Sequence, residues 1–287
     1  MTKTFILNNG VEMPAIGLGT AKLPVDRMTE VLKTAFDAGY TKIDTAWHYY
    51  NEEAIGQALK NIGIDRKKLF ITNKLHIEDL YFAPYRRFRI PKKTVRQAFE
   101  QTCKRLGTDY IDLYLIHYPF PTYIHMWKEI EKLYKAGRIR AIGVASWLPE
   151  HMERIRAVSD TIPAVNQFEI SPYMTNTRII DYNTEHQILS EAFSSFGGYG
   201  LRNNVLSDPL IKDIADKYTK TTAQIILRWL LQQNISILPR SASQNHQKEN
   251  IDIFNFSLED DEIKAISALN KNESVWGWNL EDTLKWL

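Results

Sequence analysis

Cysteine is nearly absent from this chain: Cys103 is the single one among 287 residues. No intramolecular disulfide can form, and a cysteine-rich metal centre is excluded. Long apolar runs are missing too. Met1 to Gly10 hold no stretch of signal-peptide length, and nothing further along reaches the ~20 apolar residues that span a bilayer. A cytoplasmic protein with no membrane partner is therefore expected. An excess of one charge is also lacking. The 36 basic and 34 acidic side chains leave a net charge of +2, which implies no nucleic-acid partner and makes any anion site a local one. With no repeat, low-complexity tract or Pro/Gly/Ser-rich linker, residues 1–287 read as a single domain. Cys103 lies in the amphipathic run Val95–Leu106 and reads as a buried structural residue.

What the chain does contain is an alternation of short apolar runs with helical stretches. The runs are Ala15–Leu18, Thr41–Ile43, Leu69–Thr72, Ile111–Ile116, Ile139–Val144, Ala164–Val165, Gln187–Leu189 and Ile235–Leu238. Helical periodicity marks Met28–Ala38, Glu52–Ile62, Lys93–Leu106, Met126–Ala136, Pro149–Val158 and Thr222–Gln233. Strands alternating with such helices imply βαβ units and a parallel sheet. Eight units in a chain not far above the ~250 residues typical of the fold predict a (β/α)8 barrel; an open doubly wound sheet is the alternative on pattern alone. Phe5–Leu7 and Val11–Met13 flank Asn8-Asn9-Gly10, a tight-hairpin signal, and such an N-terminal hairpin can close the barrel floor.

The residues at which these runs stop carry the chemistry. The second run ends in Asp44, the third in Lys74 and the fourth in His117. In a parallel barrel the C-terminal strand ends share one face, the face that carries active sites. Tyr49 follows Asp44 in the same loop. Tyrosine ionises near pH 10, too high for ready proton donation at neutral pH, and an ammonium such as Lys74 would lower that value while Asp44 held the ammonium charged. A neutral His117 can hydrogen-bond a substrate oxygen. The plain alternative is an Asp44–Lys74 pair bracing two strands, a rim tyrosine and a satisfied core histidine, and the residues alone leave both readings open. His48, His76, His125 and His151 are scattered along the sequence, so no metal is expected.

The stretch Gly39 to Glu52, with its core Asp44-Thr45-Ala46-Trp47-His48-Tyr49-Tyr50-Asn51-Glu52, resembles the first signature of the aldo-keto reductases. Ile71-Thr72-Asn73-Lys74-Leu75 resembles that family's lysine strand and Leu106 to His117 its histidine strand. Gly137 to Val144, Pro163-Ala164-Val165-Asn166-Gln167, Leu238-Pro239-Arg240-Ser241 and Glu249-Asn250 match further, in order, over roughly residues 5–270. The resemblance implies the barrel with a floor hairpin and a catalytic group of Asp44, Tyr49, Lys74 and His117. It implies reduction of a small-molecule aldehyde or ketone by hydride transfer from NADPH (NADH is also admissible), with Tyr49 as proton donor and His117 orienting the carbonyl. A non-catalytic, regulatory or structural protein of the same fold is the alternative, against which the intact group of four argues. A short-chain dehydrogenase is excluded because Tyr49 and Lys74 lie on different βα units. A monomer or weak homo-oligomer is expected.

The resemblance also implies a cofactor site. Gly17-Leu18-Gly19 carries two glycines of a dinucleotide fingerprint but Lys22 where the third should be, and it opens no such βαβ unit. Gly19 and Thr20 instead approach the cofactor by backbone, beside Asp44. Gln167 is the nicotinamide ligand. Ser146 stands where the family has Ser-Asn, and Phe193 replaces the stacking tyrosine. Ser194 and Gly197 match the pyrophosphate loop. Arg240, Ser241, His246, Glu249 and Asn250 fall at the 2′-phosphate end, with His246 in the place of the usual arginine; it is charged only when protonated, so the NADPH preference should be modest and widen in acid. On the substrate side stand Ala21, His48, His76, His117, Tyr118, Trp276 and Trp278. Ala21 and His76 replace larger aromatics, which predicts a wide, polar pocket. The connection His76–Pro91 is long and rich in aromatics and arginines (Arg86, Arg87, Arg89); a solvated loop, a lid and an anion-binding arm are its three readings.

Overall fold

The computed structural model describes residues 4–81, 91–198, 204–276 and 280–286. Two short strands, β1 (Thr4–Ile6) and β2 (Glu12–Pro14), form the antiparallel hairpin, with Phe5 opposite Met13. Gly10 turns it at φ 82°, a conformation open to glycine at no steric cost. Eight parallel strands follow in sequence order: β3 (Leu18–Gly19), β4 (Lys42–Asp44), β5 (Phe70–Leu75), β6 (Ile111–Ile116), β7 (Ile139–Ala145), β8 (Val165–Glu169), β9 (Leu189–Phe193) and β10 (Ser236–Ile237). Each pairs with its neighbour. The ring closes where Ile16 bridges Ile237 and the Gly17 N–H reaches the Ile237 carbonyl at 2.9 Å. The architecture is the (β/α)8 barrel that the alternation predicts.

Side chains of a strand alternate between its two faces, and here the two faces build two separate cores. Outward residues such as Ile43, Ile71, Tyr114, Ile116, Ile142 and Val144 pack under the surrounding helices. Inward residues Phe70, Leu113, Leu115, Ala141 and Val165 form a smaller core against Leu7 and Met13 of the hairpin, which plugs the floor. Helices Glu52–Ile62 and Val95–Leu106 approach so closely that a Cβ on Gly56 would lie 2.0 Å from the Arg105 carbonyl oxygen. Cys103 is buried there, and burial pushes its thiol up to about 11.

Differences from the sequence reading have local causes. The seventh barrel strand begins, rather than ends, at Leu189, because Gln187 sits in a turn at φ 57°. Ser190 and Glu191, beyond the apolar run Gln187–Leu189, continue the strand: Ser190 Oγ accepts a hydrogen bond from Asn183 outside the barrel and Glu191 points inside. Helices Thr177–Glu185, Pro209–Tyr218 and Asp260–Ser267 were not apparent from the periodic runs. Among the described residues no helix is long and apolar enough to cross a membrane.

Candidate active site

The upper inward positions of the strands carry Asp44, Lys74, His117, Gln167 and Phe193, and below them lies a second set, Lys42, Glu191 and Ser236. Lys42 runs through the barrel to Glu191, Nζ to Oε1 2.5 Å, and also donates to Ser236 Oγ at 2.9 Å and the Pro14 carbonyl at 3.1 Å. Gly17 leaves room for it: a Cβ there would fall 2.7 Å from Lys42 Cε. Gln167 Nε2 then links the two sets, donating to Glu191 Oε2 and to Asp44 Oδ2, both at 2.8 Å.

Lys74 has three N–H donors and three acceptors: Asp44 Oδ1 at 2.5 Å, the Thr45 carbonyl at 3.1 Å and Tyr49 Oη at 3.2 Å. Tyr49 Oη is thus the acceptor in its contact with the ammonium. Burial raises the Asp44 carboxyl above its ordinary value and Glu191 adds to that, while the Lys74 ammonium pulls it down. Tyr49 is brought back over Lys74 by a 3-10 turn, Trp47–Tyr49, ended by Tyr50 in the left-handed region at φ 55°. The rest of the Asp44–Glu52 motif braces that turn. Asn51 accepts from Thr45 Oγ1 and donates to the Thr20 carbonyl, and Glu52 takes hydrogen bonds from Asn73, Thr102 and Arg105.

His117 is buried, its ring edge-on to Tyr49 at 5.9 Å. Its Nδ1 is enclosed without a hydrogen-bond partner, so Nε2 is the nitrogen able to meet a ligand. Burial, with Lys74, His76 and His48 nearby, holds its basicity well below the histidine norm; the ring is neutral.

A cavity of about 630 Å³ opens over this group. Its walls include Gly19, Ala21, Asp44, His48, Tyr49, His117, Tyr118, Ser146, Gln167, Phe193, Ser194, Arg240 and Trp276 from the sequence-derived set. Lys22, Tyr50, Ala145, Ser195, Phe196, Gly198, Leu238 and Pro239 join them, and Gly198 rather than Gly197 faces the space. Other expected residues stand behind the wall. Thr20 is buried, its hydroxyl on the Asp44 carbonyl, and Lys74 lies beneath Tyr49. Gly197 turns the loop back to the Ser194 carbonyl. Ser241 accepts from the Ser243 N–H, and Ser243 caps the helix Gln244–Ile251, which carries exposed His246, half-buried Glu249 and buried Asn250. Trp278 and Arg86, Arg87 and Arg89 lie outside the described residues. Trp276 meets Phe193 edge-on at 6.2 Å.

His76 does not line the cavity. It is buried behind His48, the two rings stacked at 4.6 Å, and also contacts Trp47, Tyr118 and Phe120. Burial, with His48 beside it, pushes it down to about 3, so it is neutral. Two of the four histidines scattered in sequence are neighbours in space: folding of two adjacent βα loops gathers His48 and His76 with Glu78. Of the connection after His76, the described part caps a short helix, Ile77–Leu80, and pairs Tyr81 with Pro91.

The aldo/keto reductase family model matches residues 15–271. Glyoxal reductase of Bacillus subtilis is 40% identical over 274 residues, covering 95% of this chain and 94% of the relative. Morphine 6-dehydrogenase of Pseudomonas putida is 37% identical over 276 residues, 92% and 90% of the two chains. Among solved structures, an aldo-keto reductase of Bombyx mori in complex with NADP superposes with a TM-score of 0.85 at 29% identity, covering 99% of this chain and 97% of its own.

Proposed function

The chain belongs to the aldo/keto reductase family, and from that premise we propose that it reduces aldehydes and ketones to alcohols with NADPH, Tyr49 supplying the proton. The observation that carries this reading is the contact of Tyr49 Oη with Lys74 Nζ at 3.2 Å, on an ammonium already fixed 2.5 Å from Asp44 and opening on the cavity. Lys74 favours the phenolate that remains after proton transfer, and Asp44 keeps Lys74 aimed. Neutral His117 donates from Nε2 to the carbonyl oxygen and turns it toward the Tyr49 O–H.

The donor set suits a nicotinamide dinucleotide. Two carboxylates claim the Gln167 NH₂ group, so its carbonyl oxygen is the atom left for the cavity, an acceptor matched to a carboxamide N–H. Phe193 offers an aromatic face beside it. At the other end Arg240 and the N-terminus of the helix Gln244–Ile251 suit a phosphate. When bound, the cofactor supplies the hydride for the carbonyl carbon; the protein's own work is to orient the carbonyl, exclude water and move the proton. The relatives' names span a two-carbon dialdehyde and a polycyclic alkaloid, so glyoxal and a bulky cyclic ketone are the first substrates to assay.

Tyr49→Phe tests the reading. Turnover is expected to fall by the ~10²–10⁴-fold that general acid catalysis supplies, or more, while NADPH still quenches tryptophan fluorescence. Near-parental reduction by the variant would overturn it.

A further inference from the structure

We propose that His48, His76 and Glu78 form a binding site for a divalent transition-metal ion of the zinc class at the mouth of the cavity. One donor atom from each lies within 4.8 Å of those of the other two. Glu78 Oε2 is 3.5 Å from His48 Nδ1 and 3.7 Å from His76 Nδ1. Zinc bonds of about 2.0–2.2 Å place tetrahedral ligand atoms about 3.3–3.6 Å apart, so two edges of the polyhedron are nearly formed before any ion arrives.

The three ligands differ in freedom in a useful way. His76 is 4% exposed and wedged among Trp47, Tyr118 and Phe120, which fixes one imidazole in place. The His48 side chain is 43% exposed, so it can close the remaining edge, to His76, by a small rotation. An ion on His76 Nδ1 displaces the hydrogen bond that this atom accepts from the Glu78 N–H, which is long at 3.3 Å. Two imidazoles with one carboxylate select borderline cations such as Zn²⁺, Co²⁺ or Ni²⁺; Mg²⁺ and Ca²⁺ prefer all-oxygen sets. Three protein ligands leave a fourth position for water or for a substrate oxygen.

Occupancy has a consequence for catalysis, because His48 belongs to both the cluster and the cavity wall and adjoins Tyr49. An ion pins His48 at the mouth and occupies space that an entering carbonyl compound needs. Zinc is therefore an inhibitor that raises KM for the carbonyl substrate and leaves NADPH binding alone. The competing explanation of the same distances is an ordinary contact between Glu78 and a protonated histidine, which binds no metal.

The test is a Co²⁺ titration of the tag-free, EDTA-stripped protein, followed by its visible absorption, with Zn²⁺ as competitor. One equivalent is expected to bind, and Glu78→Gln or His48→Ala to weaken it by ~10-fold or more, since even a partner behind a metal ligand is worth about 10–100-fold. His125→Gln, on an exposed helix face, should change nothing. In the assay, Zn²⁺ should inhibit the parent, while Glu78→Gln keeps parental activity without metal and resists Zn²⁺. Absence of stoichiometric binding, or binding that survives both substitutions, overturns the site. The titration reads the metal directly, so its result stands apart from that of Tyr49→Phe.

Discussion

Two buried lysines on neighbouring strands, Lys42 and Lys74, sit in the same barrel and meet different fates. Each has all three ammonium donors matched, Lys42 by Glu191, Ser236 and the Pro14 carbonyl, Lys74 by Asp44, Tyr49 and the Thr45 carbonyl. Lys42 and Glu191 are wholly enclosed, whereas the Lys74 set ends in Tyr49, which borders the cavity. Gln167 ties the two together. The lower pair therefore holds the upper one from beneath, and the upper one directs its last hydrogen bond to Tyr49 at the cavity wall. The rim above is built differently, from His48, Ala21, Trp276 and Arg240 on loops, where substitution changes what enters more than what folds.

Breaking the lower pair should give the largest effect on stability. Lys42→Met strands the Glu191 carboxylate in the barrel, and leaving one buried partner uncompensated costs about 3–5 kcal/mol. Adding Glu191→Gln removes the stranded charge while keeping an oxygen for Gln167, so the double variant should regain much of the loss. Urea unfolding of the two variants decides it. A double variant no more stable than Lys42→Met would mean that the pair does not act as a unit.

The same contrast explains what the sequence could and could not reveal. Asp44, Lys74 and His117 were legible because each is the polar residue on which an apolar run stops, and a parallel barrel brings such ends to one face. Lys42 was not, because a lone lysine inside Thr41–Ile43 gives no sign of a partner at Glu191, 149 residues away. For the same reason Glu191 falls outside the apolar run Gln187–Leu189: a charge interrupts a β-pattern unless its counter-ion is known. His48 and His76 belong to different loops, and no spacing rule links them. Their meeting depends on the register of β4 against β5, which pairs Asp44 with Thr72. Asn51 and Glu52 were visible as part of a motif, yet their purpose, bracing the Tyr49 turn, needed coordinates.

At the rim, Ala21→Trp should sharpen the comparison with a middle-sized effect. Ala21 is half-buried on the wall of the 630 Å³ cavity. If the missing ring leaves usable space, filling it should lower kcat/KM for a bulky ketone by ~10-fold or more, in keeping with steric terms of about 1–3 kcal/mol. A small aldehyde should be reduced as before, and unfolding should be unchanged. Equal losses for both substrates would mean that Trp276 or Tyr50 already takes up the space.

The smallest effect is expected at the far end of the proposed cofactor site, where charge is added without burial. Arg240 reaches the cavity, and the helix Gln244–Ile251 starts from a Ser243 whose Oγ accepts the His246 N–H at 3.5 Å. His246 lies exposed on the first turn of that helix, where a phosphate on the helix N-terminus would be within its field. Changing it to arginine substitutes a permanent, bidentate cation for one that is charged only when protonated. Exposed ion pairs contribute up to about 1 kcal/mol, so His246→Arg should tighten NADPH by roughly 2–5-fold and leave NADH, which lacks the 2′-phosphate, where it was. The gain should shrink as salt is raised from 10 to 300 mM, since the Debye length falls from about 30 Å to well under 10 Å. Fluorescence titrations of both cofactors at the two ionic strengths check this. Equal tightening of NADH would show that the residue senses the shared pyrophosphate, and the assignment of this helix to the 2′-phosphate would then fail.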